Sequence, residues 1–133
     1  MTAPALLAVE GLSAVSVRDG GQPILRDVSL SLEAGRALGL VGESGAGKST
    51  IAKAVLGILP AGVRIRSGRI AFEGRDLLTM DRKSLRAILG SEIALIPQDP
   101  LTALNPGRRI GGQLTDGPRL RRGRAGERAA ART

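Results

Sequence analysis

Gly42-Glu43-Ser44-Gly45-Ala46-Gly47-Lys48-Ser49-Thr50 is the stretch from which the fold is read. Four residues separate Gly42 from Gly47, and Lys48-Ser49 follows directly, which is the spacing of a phosphate-binding loop. Each residue type has a physical task there. Glycine reaches backbone conformations closed to other residues, so successive N–H groups can turn inward around an anion. A helix starting near Lys48 adds the positive end of its dipole to the same anion. Lys48 then reaches the terminal phosphates, the Ser49 hydroxyl ligates Mg2+, and Thr50 helps hold the inner phosphate. The nucleotide-binding candidates are thus Gly42, Glu43, Ser44, Gly45, Ala46, Gly47, Lys48, Ser49 and Thr50. A dinucleotide fingerprint is disfavoured, because its G-x-G-x-x-G spacing does not occur.

The flanks carry the alternation of strand and helix that such a loop needs. Residues 36–41 (RALGLV) form a short, nearly continuous apolar run, which predicts a strand buried on both faces and leading into the loop. Over residues 49–59 the period changes. Ile51, Ala52, Val55, Leu56 and Leu59 fall on one helical face, and Pro60 with Gly62 is expected to close the helix. Upstream, residues 6–17 are apolar with intermittent alternation, and Val28-Ser29-Leu30-Ser31-Leu32 alternates as a half-buried strand does. Asp19-Gly20-Gly21 supplies a turn between them, and Glu33-Ala34-Gly35 ends the second run. Downstream, residues 68–72 predict a strand with a turn at Glu73-Gly74. Asp81 is placed to cap a helix carrying Leu85, Ile88 and Leu89 and stopped at Gly90. Residues 92–96 predict a second buried strand, ended by Pro97. No internal repeat is visible.

Composition narrows the chemistry. The 133 residues fit one domain. There is no Cys, which excludes disulfide frameworks, thiolate zinc sites and cysteine nucleophiles, and no His, which removes the commonest neutral-pH base and metal ligand. Phe72 is the single aromatic, so a nucleic-acid site built on stacking is disfavoured. The formal charge is +8, from 20 Lys plus Arg against 12 Asp plus Glu. From Arg108 onward eight Arg face only Asp116 and Glu127, and this end reads as a weak helix or a solvated tail. The first ten residues carry no basic segment of a signal peptide. Residues 51–63, the most apolar later stretch, are interrupted by Lys53 and Pro60 and fall short of the ~18 residues a membrane span needs. A soluble chain able to dock on a membrane protein is expected.

A second constellation lies some fifty residues beyond the loop, in Ile96-Pro97-Gln98-Asp99-Pro100-Leu101-Thr102-Ala103-Leu104-Asn105-Pro106. A glutamine at the end of a strand beside a phosphate loop can reach Mg2+ and the attacking water through its amide. Taken alone, Gln98 would equally be an exposed residue of a proline-rich loop.

With both constellations in view, the chain resembles the ATP-binding subunit of ABC transporters, in the group that drives dipeptide, oligopeptide and nickel uptake. The strings that carry the resemblance are VGESGAGKST, SGRIAFEGRDL and IPQDPLTALNP, the last being the most group-specific. It runs from about Leu6 to Pro106 and continues weakly through Ile110-Gly111-Gly112-Gln113. The resemblance implies an α/β P-loop NTPase fold, an ABC-type nucleotide-binding domain with an N-terminal antiparallel β subdomain. Residues 1–107 would hold the β subdomain, P-loop and Q-loop, and residues 108–133 would begin an Arg-rich helical subdomain. It makes Gln98 the Q-loop glutamine, positioning water and, with Ser49, Mg2+. ATP and Mg2+ are the implied cofactors. The implied partners are the transporter's membrane subunits, a second ATPase subunit as dimer and, indirectly, an extracytoplasmic solute-binding protein; no nucleic acid is expected. The implied location is peripheral, on the cytoplasmic face of the cell membrane.

Departures from the family pattern bear on activity. The family's LSGGQ-like signature loop, its Walker B strand ending in Asp-Glu and its switch His are not in this sequence. Leu6-Leu7-Ala8-Val9-Glu10 precedes the loop, and Ile70-Ala71-Phe72-Glu73 follows it too soon and runs into Gly74, so neither replaces Walker B. Where the family places an adenine-stacking aromatic, this chain has Val15 or Val17. The expectation is the N-terminal part of a transporter ATPase, truncated before signature and Walker B. It would bind MgATP weakly, hydrolyse it negligibly and fold marginally with exposed sheet edge. Two rivals stay open on the sequence: another P-loop protein, a small kinase or a GTPase lacking its NKxD motif, and a non-enzymatic basic fragment whose Arg-rich end meets nucleic acid or anionic lipid by charge.

Overall fold

The computed structural model describes residues 5–99 and 104–116. Residues 100–103 of the IPQDPLTALNP string and the Arg-rich residues 117–133 lie outside the described residues. The chain divides into two compact units, one ending at Leu85 and one starting at Arg86.

The alternating segments build the first unit. β1 (Leu7–Ser16) and β2 (Gln22–Leu32) form an antiparallel hairpin, α1 (Lys48–Val55) follows, and β3 (Val63–Phe72) with β4 (Arg75–Asp76) completes the sheet. The strand order is β2-β1-β3-β4, every pairing antiparallel. The expected turns are where the sequence puts them. Gly20 and Gly21 turn the first hairpin with φ of +66° and +84°. Glu73 and Gly74 turn the second at +48° and +77°, the two positive values that a tight two-residue hairpin requires. One face of the sheet is closed by Val9, Leu12, Ala14, Leu25, Ile70 and Phe72, and α1 contributes Ile51, Ala54, Val55 and Leu56 to the buried set. Full burial of a side chain such as Leu12 or Ile70 stabilises the unit by about 1.5–3 kcal/mol.

β1 departs from strict alternation for a physical reason. Val9 pairs with Leu30 and Leu12 with Val28, so β1 carries one residue more than β2 over that span, and the same excess recurs against β3 between Glu10 and Ser13. This bulge, with Gly11 at φ +57°, lets both Val9 and Leu12 point inward. The Gly11 amide donates to Ser29 Oγ at 2.9 Å. The neighbours then take up the slack. Between Leu12 and Ala14 the extra residue belongs to β2, at Arg26-Asp27, and between Ser13 and Ala14 it belongs to β3, at Arg66. Gly68 is where β3 crosses closest, since a Cβ there would lie 2.5 Å from Leu12 Cα.

Three sequence expectations change. Helix α1 stops at Val55 rather than near Pro60, because Gly57 takes φ +65°. Its amide bonds to the Ala54 carbonyl, and that of Ile58 to Lys53, which together close the helix end in a Schellman motif. Residues 36–41 form no strand, and Val41 is 99% exposed. Residues 92–96 keep only an isolated parallel bridge between Leu89 and Ile93, and Ile96 is 91% exposed. A strand buried on both faces is held by ladders on its edges. Among the described residues none pairs with 36–41 or with 94–96, so these apolar runs stay irregular and exposed.

α2 (Arg82–Ile88) forms as expected and spans the division between the units. Asp81 caps it: Oδ1 accepts the amides of Lys83 and Ser84 at 2.9 and 3.0 Å, and Oδ2 accepts the Ser84 hydroxyl at 2.6 Å. Those bonds, the Ser84 hydroxyl first, hold the Asp81 carboxyl below its ordinary value. Gly90, at φ +78°, follows the helix as a stop. Further along the second unit, residues 110–116 are helical. No helix among the described residues is long and apolar enough to cross a membrane.

Candidate nucleotide-binding site

The loop that precedes α1 is shaped by two glycines. Gly45 and Gly47 have φ of +85° and +86°, conformations that cost other residues about 1–2 kcal/mol. Gly47 is also the N-cap of α1 and answers a second demand. A Cβ there would lie 2.6 Å from Leu25 Cδ2 and 3.2 Å from the Ile24 carbonyl oxygen, so the loop's end is pressed against β2. Residues 42–46 are exposed, while Gly47 and Lys48 are half-buried.

The donors of this loop are left for something other than protein. Ala46 N–H bonds to the Glu43 carbonyl at 3.2 Å, and the Ile51 amide begins the helical ladder on Gly47 at 3.0 Å. The amides of Lys48, Ser49 and Thr50 precede that ladder and have no helical acceptor. Neither a side-chain cap nor an acidic residue serves the first turn. Three amide donors and the helix dipole therefore converge with no protein anion to receive them. Lys48 completes the loop. Its Nζ donates to the carbonyls of Gly42 and Glu43, at 2.6 Å each, so the ammonium lies across the loop from one end to the other. The Ser49 side chain is exposed and Thr50 is half-buried on the same turn. The structure thus gathers all nine residues Gly42 to Thr50 into one feature of the first unit.

Gln98 belongs to the second unit, where it is exposed at a bend between Pro97 and Asp99. Sequence reasoning passed over two contributors. Leu25, buried on β2, backs the loop through Gly47, and nothing in its spacing marked it. Gln113 clasps the segment after the proline-rich string. Its Oε1 accepts the Asn105 amide at 2.8 Å, and its Nε2 donates to the carbonyls of Asn105 and Arg108 at 3.0 Å each. The Gly111-Gly112-Gln113 string was the available signal.

A family model described as ABC transporter matches residues 25–131, four-fifths of the chain and the whole of the loop. The chain belongs to the ABC transporter family. The oligopeptide transport ATP-binding protein OppD of Escherichia coli (strain K12) is 44% identical over 115 residues, which are 86% of this chain and 34% of that protein. The dipeptide transport ATP-binding protein DppD of Bacillus subtilis (strain 168) is 40% identical over 111 residues, 82% of this chain and 33% of the relative. The peptidoglycan transport ATP-binding protein YejF of Agrobacterium fabrum is 39% identical over 130 residues, 96% and 24% respectively. Among solved structures, a bacterial Atm1-family ABC exporter with ATP bound superposes with a TM-score of 0.57 at 32% identity, covering 74% of this chain and 16% of that one. The ABC chain spans about a third of the length of the first two relatives. Its fold is that of the family's P-loop ATPase domain, with the four-stranded antiparallel sheet described above.

Proposed function

We propose that this chain binds MgATP through residues 42–50 and is part of the ATP-binding subunit of an ABC transporter that takes up peptides or a related solute. The carrying observation is the set of first-turn amides of α1, without protein acceptors among the described residues, beside the Lys48 ammonium. That donor set fits a triphosphate: amides for the inner phosphates, a mobile cation for the terminal ones, and an exposed Ser49 hydroxyl for a divalent ion. Bound Mg2+ would neutralise charge between the terminal phosphates. Lys48 would exchange its two loop carbonyls for phosphate oxygens, and Thr50 would add an inner-phosphate contact. Gln98 is assigned, from the family resemblance, to orient water and the metal. Residues 1–107 are assigned to the β subdomain, P-loop and Q-loop, and residues 108–133 to the start of a helical subdomain.

The peptide class rests on the oligopeptide and dipeptide relatives and on the IPQDPLTALNP string. Membrane subunits are assigned as partners because these relatives are transport ATP-binding proteins; a second ATPase subunit, indirectly a solute-binding protein, and the cytoplasmic face of the membrane are assigned from the family resemblance alone. Family membership removes the support for a kinase or GTPase reading. Phosphate release by these 133 residues alone is expected to be negligible, since they contain neither a signature string nor a His.

Titration calorimetry of the purified chain with MgATP tests this reading. Charge-assisted bonds of the Lys48 kind contribute about 1.5–3 kcal/mol each, so Lys48→Ala should weaken binding at least about tenfold. Equal affinity in wild type and Lys48→Ala, or heat insensitive to chelation of the divalent ion, would refute it.

A further inference from the structure

A protein holds a nucleotide base through its flat π face and tells one base from another through the donors and acceptors on its edge. Stacking on an aromatic ring contributes about 5–150-fold in affinity per base. Edge reading is selective when the protein's own polar group is buried, because the wrong base then leaves that group unpaired.

This chain has little of either device. Its 133 residues contain one aromatic side chain, Phe72, and no His. Phe72 ends β3 at 6% exposure, and the Arg75 guanidinium stands 5.6 Å from the centroid of its ring. The single ring therefore belongs to the core of the sheet and offers no face to a ligand. Among the described residues no polar or charged residue is buried, so none is placed to penalise a wrong base edge. Exposed guanidiniums remain, such as those of Arg18 and Arg26. A cation over a π face at an exposed position adds only about two- to fivefold, and adds it to every base.

The phosphate end is served differently. The first-turn amides of α1, the Lys48 Nζ and the exposed Ser49 hydroxyl are all fitted to anionic oxygen or to its metal. We propose that the site reads the triphosphate and not the base, so that its ligand class is magnesium triphosphate carried on any nucleoside or on none. This rests on the assignment of residues 42–50 to a triphosphate.

The test is titration calorimetry of the full chain with MgATP, MgGTP, MgUTP and magnesium tripolyphosphate in one buffer. MgGTP and MgUTP are expected to bind within about fivefold of MgATP, and magnesium tripolyphosphate no more than about fivefold more weakly. Each should displace the others, and adenosine should displace none. Lys48→Ala should weaken all four by one common factor, within about twofold, because the contact it removes is to phosphate. A preference for MgATP beyond fivefold over MgGTP or over magnesium tripolyphosphate would overturn the inference and leave the phosphate-loop assignment standing. Binding by none of the four, or indifference of all four to Lys48→Ala, would overturn both.

Discussion

Gly47→Ala puts the contact between loop and sheet to the test. The added methyl must enter 2.6 Å from Leu25 Cδ2 and 3.2 Å from the Ile24 carbonyl oxygen, and the residue must keep φ near +86°. The backbone demand costs about 1–2 kcal/mol. The steric demand costs about 1–3 kcal/mol more, because Leu25 is itself buried in the packed layer. A total of about 2–5 kcal/mol means that the start of α1 lifts from β2 at least about 30-fold more often. Amide hydrogen exchange over residues 48–56, resolved by mass spectrometry, reads this local opening directly. Leu25→Ala leaves room for the methyl, so the double variant should cost less than the sum of the singles by about 1–3 kcal/mol, the coupling typical of residues in contact. Exchange within about twofold of wild type in Gly47→Ala, or strict additivity with Leu25→Ala, would show that the loop does not lean on β2.

Asp81 gives a pH prediction with a definite sign. Its carboxyl is held below the ordinary value of 3.8, so its cap on α2 is fully present above that value and is lost as pH falls through the lowered one. Asp81→Asn should keep α2 at neutral pH and flatten this acid-side loss of helical circular dichroism. Gln113→Ala removes three hydrogen bonds from residues 105–108 and should speed proteolytic cleavage there several-fold, each such bond being worth about 0.5–1.5 kcal/mol, with α2 protected as before. Val41→Ser, at a residue 99% exposed, should change urea stability by less than about 0.5 kcal/mol and raise solubility, where burial would have made the same exchange strongly destabilising.

What the sequence disclosed follows the range of the forces involved. The loop, its helix start, both hairpin turns and the Asp81 cap depend on neighbours within a few residues, and each stands where glycine, charge and period indicated. The C-terminus of α1 was legible too, but Gly57 carried the signal and Pro60 was read in its place. Residues 36–41 and 92–96 failed for a different reason. Their apolar content records a tendency to be covered on both faces, and it says nothing about which strand does the covering. Val41 and Ile96 show the consequence, since hydrophobicity without a partner ladder leaves an irregular, exposed segment. The bulges left one trace, the broken alternation of residues 6–17, and register alone shows which strand holds the extra residue.

The bulge in β1 and the insertions in its neighbours act together. On the core side, the extra residue at Glu10-Gly11 turns Val9 and Leu12 inward together, and Leu25 in the same packed layer fixes the end of the phosphate loop. Opposite Ser13, the compensating insertions lie at Arg26-Asp27 of β2 and Arg66 of β3. Had β2 and β3 run without insertions, their registers against β1 would have stayed displaced by one residue beyond the Gly11 bulge. A displacement of one residue turns every later side chain to the opposite face. Leu25 would then leave the core and Gly47 would lose its seat. The insertions at Arg26-Asp27 and Arg66 thus restore the register that positions the phosphate loop.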